Sequence, residues 1–230
     1  MIHIIAKSNP SRLRAQDAFW GYRVAAPQRR STSDRIQQPK IGNIFGKTNQ
    51  SDEILKEIIS IAEGTNRGID TTPGQLRELK EYFSKLRDLT SNGGEFLRNV
   101  KSLDATWRLL WTTEKEILFI LKYAGIFGTQ AGEVYQVIDL NSNRLQNCIE
   151  FPPEGAFVVD SYIDFDKESK RCSFEFKGAR LDLPGGKSFE LPPKGKGSFR
   201  TLALNAKYRI AEDSRGDFLI IERVGPPRTF

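Results

Sequence analysis

From Ser51 onward, apolar side chains recur at helical spacing. Ile54, Leu55, Ile58, Ile59 and Ala62 lie three and four residues apart, and Ser51 and Asp52 stand where side-chain oxygens can cap the first free amides. This spacing predicts a helix that stops near Gly64. A second start signal comes after Gly64-Thr-Asn-Arg-Gly68: Thr71-Thr-Pro-Gly puts a proline where its missing N–H costs nothing, and Leu76, Leu79, Phe83, Leu86 and Leu89 trace another stripe, ended by Asn92-Gly-Gly94. Both stripes read as core packing, against each other or against a sheet. Beyond Leu103 the period changes from helical to 2, and β-branched and aromatic runs alternate with Gly, Pro, Asn and Asp. Strands are expected over 105–113, 116–122, 133–139, 144–151, 156–164, 170–177, 179–183, 198–202, 206–211 and 217–224. The turns between them fall at Asn141-Ser-Asn143, Pro152-Pro-Glu-Gly155, Asp166-Lys-Glu-Ser169 and Asp213-Ser-Arg-Gly216.

So many consecutive strands with short links favour an antiparallel meander, and closing it into a barrel removes its unpaired edges. The expected fold is mainly β with N-terminal helices, the β part a lipocalin-like antiparallel β-barrel. Alternation nominates its lining. Trp107, Leu109 and Trp111 share one face against Arg108 and Leu110. Phe174 and Phe176 flank Glu175, Tyr208 and Ile210 alternate with Lys207 and Arg209, and Phe218 lies on one face with Ile220. With Tyr135 from the 133–139 strand, the candidate ligand-binding residues are Trp107, Leu109, Trp111, Tyr135, Phe174, Phe176, Tyr208 and Phe218. Such a lining would hold an acyl or isoprenoid chain by burial worth about 0.8 kcal/mol per methylene. The same pattern also describes a barrel packed solid by its own side chains.

Composition bounds the rest. At 230 residues, 38% of them hydrophobic, the chain can bury a sizeable core in one main domain with a helical appendage. No apolar stretch approaches the roughly 20 residues of a membrane-spanning helix, so membrane association would be peripheral. The net charge of +6 is concentrated: residues 1–50 hold nine of the 35 basic side chains and two of the 29 acidic ones, leaving 26 against 27 in the remainder. A basic, acid-poor leader containing Arg29-Arg-Ser-Thr-Ser33 reads as an organellar transit peptide or a disordered basic arm over 1–50, followed by a helical segment over 51–102 and the barrel over 103–230. With the excess confined to the leader, nucleic-acid binding is not expected.

Chemistry-bearing signals are incomplete. His3, the only histidine, lies in the leader, which leaves no mature Ser-His-Asp, Cys-His or histidine–metal site. Pro184-Gly-Gly-Lys-Ser188 ends like a phosphate-binding loop, but Leu181 stands where its first glycine belongs. Asp164-Phe-Asp-Lys-Glu-Ser169 begins like a calcium loop, but Ser169 replaces the glycine of the sharp turn. Both read as loops between strands. Cys148 and Cys172, each inside a strand-like run, read as buried free thiols. No cofactor, metal or catalytic residue is expected.

Several segments in consistent order resemble one family, the plastid-lipid-associated proteins or fibrillins. They are Glu63-Gly-Thr-Asn-Arg-Gly68, Trp107-Arg-Leu-Leu-Trp-Thr-Thr113, Gly132-Glu-Val-Tyr-Gln-Val-Ile-Asp139 with Asn147, Lys170-Arg-Cys-Ser-Phe-Glu-Phe176, and Tyr208-Arg-Ile-Ala-Glu-Asp-Ser-Arg-Gly-Asp-Phe218. Trp111 stands where the family commonly has tyrosine, Ala211-Glu212 where it has Ser-Arg, and Ala203-Leu-Asn-Ala206 departs from its Tyr-Leu-Asp. The resemblance covers roughly Leu55 to Arg223. It implies a lipocalin-like fold in plastids, at plastoglobules, thylakoids or stroma, and a non-enzymatic role in binding or organising isoprenoids, quinones, carotenoids or acyl lipids. Two alternatives accompany it: a solid-cored protein that recruits lipid-metabolic enzymes as partners, and an enzyme acting on a bound lipid.

Overall fold

The computed structural model describes residues 44–91, 100–192 and 195–230. The expected leader therefore lies almost wholly outside the described residues, as does the Asn92-Gly-Gly94 stop. Two 19-residue helices come first: α1 (Ile44–Ala62), which begins before the capping signal at Ser51, and α2 (Pro73–Ser91). Pro73 opens α2 as the sequence predicts. Thr72 and Gln75 close a reciprocal cap, the Gln75 N–H donating to Thr72 Oγ1 at 3.2 Å and the Thr72 N–H to Gln75 Oε1 at 3.0 Å.

After a 3-10 turn (Val100–Leu103) come β1 (Ala105–Thr112), helix α3 (Lys115–Tyr123), a second 3-10 turn (Ala124–Phe127), β2 (Val134–Asp139), β3 (Arg144–Phe151), β4 (Gly155–Asp166), β5 (Arg171–Leu183), β6 (Lys187–Leu191), β7 (Lys196–Leu204), β8 (Tyr208–Asp213) and β9 (Phe218–Gly225). All pair antiparallel in the order β4-β3-β2-β1-β9-β8-β7-β5-β6, and β4 also pairs with β5. That pairing closes eight strands into a barrel. β6 is a flap that extends one end of the long β5, whose other end pairs with β7.

Three expectations change. The 116–122 run is α3 and not a strand: a continuous apolar run does not distinguish the two periods, and here Ile117, Ile120 and Leu121 pack on the barrel core from one helical face. The runs 170–177 and 179–183 are one strand, β5, broken only by a bulge opposite Asp160 and Ser161. The β6 strand was not expected.

Two apolar clusters divide the molecule. One fills the barrel, with Leu103, Trp107, Leu109, Ile149, Phe157, Phe199, Leu219 and Ile221 among its members. The other lies outside it, where Ile58, Leu79, Phe83 and Leu86 of the helix pair press onto Trp111, Leu202, Ala203, Ile210, Phe218 and Ile220. Bulges supply this outer surface. β9 residues Ile221 and Ile220, adjacent in sequence, pair with Leu109 and Trp111, so Leu110 is an extra residue in β1. A bulge reverses the facing of everything beyond it. Trp107 and Leu109 face inward while Trp111 faces the helices, donating its indole N–H to Thr71 Oγ1 at 2.8 Å. The expectation that these three residues share one face is corrected by that one residue. An equivalent bulge in β7 turns both Leu202 and Ala203 outward.

The Glu63–Gly68 segment clips the helices to the barrel. Arg67 bridges to Trp111 and donates to the Gly132 carbonyl, and a Cβ on Gly68, whose φ is +106°, would run into the Thr112 carbonyl oxygen.

Candidate functional site

A cavity of about 100 Å³ lies in one end of the barrel, beneath α3. Its walls come from alternate residues of β1–β5 and β9: Leu109, Val134, Ile149, Phe157, Leu219 and Ile221, with Ile117 and Ile120 of α3 as a lid. Burying Ile117, Ile120 and Leu121 leaves the opposite face of α3 in solvent. Phe119 is 44% exposed and packs its ring 4.8 Å from that of Tyr123, and Ile126 beyond them is 70% exposed.

Carboxylates border the lid end. Glu114 and Glu116 line the cavity, and Arg215, from the β8–β9 turn, donates to Glu116 at 2.8 Å and Asp213 at 3.0 Å and pairs with Asp217 at 3.4 Å. The Glu114 carboxyl accepts no hydrogen bond among the described residues, although its backbone carbonyl accepts from the Leu118 N–H at 3.0 Å. Burial pushes its carboxyl up to about 8; Arg215 opposes this, and Asp213, Asp217 and Glu116 reinforce it. At neutral pH this carboxyl is largely protonated. Asp217 is raised as well, burial outweighing the hydrogen bond from Thr113.

The deep side is polar in a different sense. Two residues on from the Val134–Ile149 pair, on the same face, the β2–β3 register pairs Gln136 with Asn147, and both side chains line the cavity. Below them Arg209, with no solvent exposure, lies between the rings of Trp107 and Phe199, 5.4 and 5.1 Å from their centroids. Its Nη2 donates to Gln136 Oε1, while Nε and Nη1 meet no acceptor among the described residues. A guanidinium only donates, which fixes the orientation of both amides: Gln136 Nε2 donates to Asn147 Oδ1 at 3.1 Å, and Asn147 Nδ2 meets no acceptor among the described residues. Burial pulls Arg209 down to about 10, so it stays charged at neutral pH. The barrel closes below it, where Arg223 lies 4.4 Å from Trp107 and ties down the carbonyls of Ser102 and Asp104.

Of the eight residues expected to line the barrel, Leu109 and Phe176 form cavity wall. Tyr135 borders the cavity while its ring stacks on Phe230 at 5.0 Å. Trp107 is in the interior below the cavity, and Phe174, 5.7 Å from Phe176, packs against the interior cluster. Trp111, Tyr208 and Phe218 lie on the outer face under the helices, with Phe218 stacked on Phe83 at 4.3 Å. The polar members were missed. Their signal is a polar residue at an inward position of an apolar alternation: Gln136 between Val134 and Ile138, Asn147 between Leu145 and Ile149, Arg209 in phase with Ala211.

The discarded motifs behave as loops. Gly185 and Gly186 form the β5–β6 turn, and Asp166 caps the β4–β5 turn by accepting from Glu168 and Ser169. Cys148 and Cys172 are buried free thiols, raised by burial to about 12 and about 11.

A family model described as PAP_fibrillin matches residues 52–222, from within α1 into β9. Over 177 residues the chain is 41% identical to "Probable plastid-lipid-associated protein 11, chloroplastic" of Arabidopsis thaliana, covering 76% of this chain and 81% of that protein. No solved structure gives a significant match.

Proposed function

The chain belongs to the plastid-lipid-associated (PAP/fibrillin) family, and on that premise we propose that it is a non-enzymatic plastid protein that shelters part of a hydrophobic molecule in its barrel and docks on a lipid surface through α3. The cavity under α3 carries this reading. It is apolar on most sides, closed at one end and bordered by titratable groups at the other. Its 100 Å³ falls short of the about 150 Å³ of an engineered cavity that accepts benzene, so in this conformation it suits a slender acyl or isoprenoid segment and not a ring. The interior is thus neither a solid core nor an open cup.

Surface association rests on α3 itself. The helix seals the cavity with one face and presents Phe119 and Tyr123 on the other, with Lys122 lying 5.6 Å from the Tyr123 ring. Rings flanked by lysine on a short amphipathic helix suit the interface of an anionic lipid layer. Residues 1–50 would serve as the import leader, which fits the chloroplastic name of the Arabidopsis relative.

Native mass spectrometry of the folded protein after incubation with total plastid lipid extract tests the reading. A stoichiometric lipid adduct that weakens when Val159, in the cavity wall, is replaced by Phe supports it. A folded protein that retains no lipid refutes the carrier role.

A further inference from the structure

We propose that Arg209, Gln136 and Asn147 form a head-group site inside the barrel for the carboxylate of an acyl chain, with the tail running along the apolar walls toward α3. This rests on the lipid-binding reading above and adds to it a ligand class and a direction of entry.

Arg209 is the reason. It is wholly buried, its Nε and Nη1 hydrogens have no acceptor among the described residues, and its one hydrogen-bond partner there is an uncharged amide. No carboxylate among the described residues pairs with it: Glu212, three residues on, is held instead by Arg87 at 2.5 Å and Arg200 at 2.7 Å. The groups that act on it electrostatically are the Cys172 thiol and a like charge, Arg223. Trp107 and Phe199 offset part of its desolvation through their ring faces but give its N–H groups no directed acceptor. A buried cation in this state selects an anion.

Geometry narrows the anion. Nε and Nη2 form one edge of the guanidinium fork, which matches the two oxygens of a carboxylate. Gln136 occupies Nη2 and is itself cavity wall, so rotation of its amide delivers that edge to a ligand in the cavity. Asn147, which also lines the cavity, supplies a third donor through Nδ2. One carboxylate balances one guanidinium.

The test compares a fluorescent polyene fatty acid, parinaric acid, with its methyl ester on the full chain at pH 7.5. The acid is expected to bind at least about tenfold more tightly, the worth of a charge-assisted hydrogen bond. Arg209→Met removes that preference while leaving ester binding within about twofold, and without ligand it melts at or above the unsubstituted protein because an unpaired buried cation has gone. Arg209→Gln, which keeps a hydrogen-bonding partner for Gln136 but carries no charge, removes the preference as well and serves if Arg209→Met does not fold. Equal binding of acid and ester by the unsubstituted protein, or a preference that survives in Arg209→Met, overturns the head-group site and leaves lipid binding standing. Binding of neither probe by the folded protein overturns the lipid-binding reading itself.

Discussion

Replacing Glu114 with Gln would stabilise this protein at high pH and leave it unchanged at low pH. Glu114 shares the lid end with Glu116, Asp213 and Asp217, and Arg215 supplies the positive charge among them. Its folded carboxyl is held near 8 against an ordinary 4.5. The folded state therefore keeps a proton that the unfolded chain releases, and the stability this contributes is complete below pH 4.5 and lost as pH rises toward 8. Taken whole, that displacement equals about 5 kcal/mol, and solvent reaching the half-buried side chain through the mouth reduces it to on the order of 2 kcal/mol. Glutamine mimics the protonated acid at every pH. Thermal melts of the two proteins should coincide at pH 4 and separate between pH 4.5 and 8. By pH 9 the variant should melt roughly 4–8 °C higher, at about 2–4 °C per kcal/mol for a chain of this size. A difference that does not vary with pH, or a less stable variant at pH 9, would refute the argument that a desolvated carboxyl sits beneath the lid.

Trp111→Ala should cost about 3–5 kcal/mol, read by urea denaturation, because the ring fills the helix–barrel interface; lipid retention per folded molecule should not change, since the ring faces away from the cavity. Gly68→Ala is expected to cost about 2 kcal/mol or more, from a backbone clash with Thr112 and a strained φ, measurable in the same assay. Glu212→Gln should cost about 2 kcal/mol at pH 7 by removing the negative charge that Arg87 and Arg200 share and replacing one of its two acceptor oxygens with an NH2 donor. Burial raises that carboxyl, but its two arginine partners prevail and hold it below the ordinary value. Its contribution is therefore present above pH 4.5 and lost on acidification, the reverse of Glu114.

The barrel and the helix pair were legible because their signals are long: repeated period-2 runs, two helical stripes, and a start at Thr71-Thr-Pro-Gly whose cap forms where the sequence places it. The lining was half legible for one reason. Alternation assigns residues to two faces but cannot say which face is inside when both are apolar, and here the outer face of β1 and β7–β9 is apolar because helices cover it. Tyr208 and Phe218 lie on that outer face of their strands, and a bulge one residue long carries Trp111 there too. Arg209 was hidden by the same choice. With Tyr208 and Ile210 taken as inward, an arginine between them looked solvated. The α3 lid was lost to a short apolar run that either period fits.

The distribution of packing also decides which part of the barrel can open for a ligand larger than the cavity. The helix pair covers the outer faces of β1, β7, β8 and β9, and the Arg67–Trp111 bridge fastens it to the strand that leads into the lid. Those strands are held from both sides. The lid is not: α3 is nine residues long, its cap position Glu114 makes no side-chain capping bond, and Ile120 is its one fully buried side chain. A helix of that length is marginal in water without tertiary contacts, so its opening free energy should fall well below that of the strands it covers. Hydrogen exchange of the folded protein should therefore find the α3 amides exchanging at least about tenfold faster than those of β1 and β9. Bound acyl chain should slow them by burying Ile117 and Ile120 against it. If α3 is as protected as β1 in the absence of lipid, the lid does not open locally, and a ligand would have to enter by parting strands that the helices hold together.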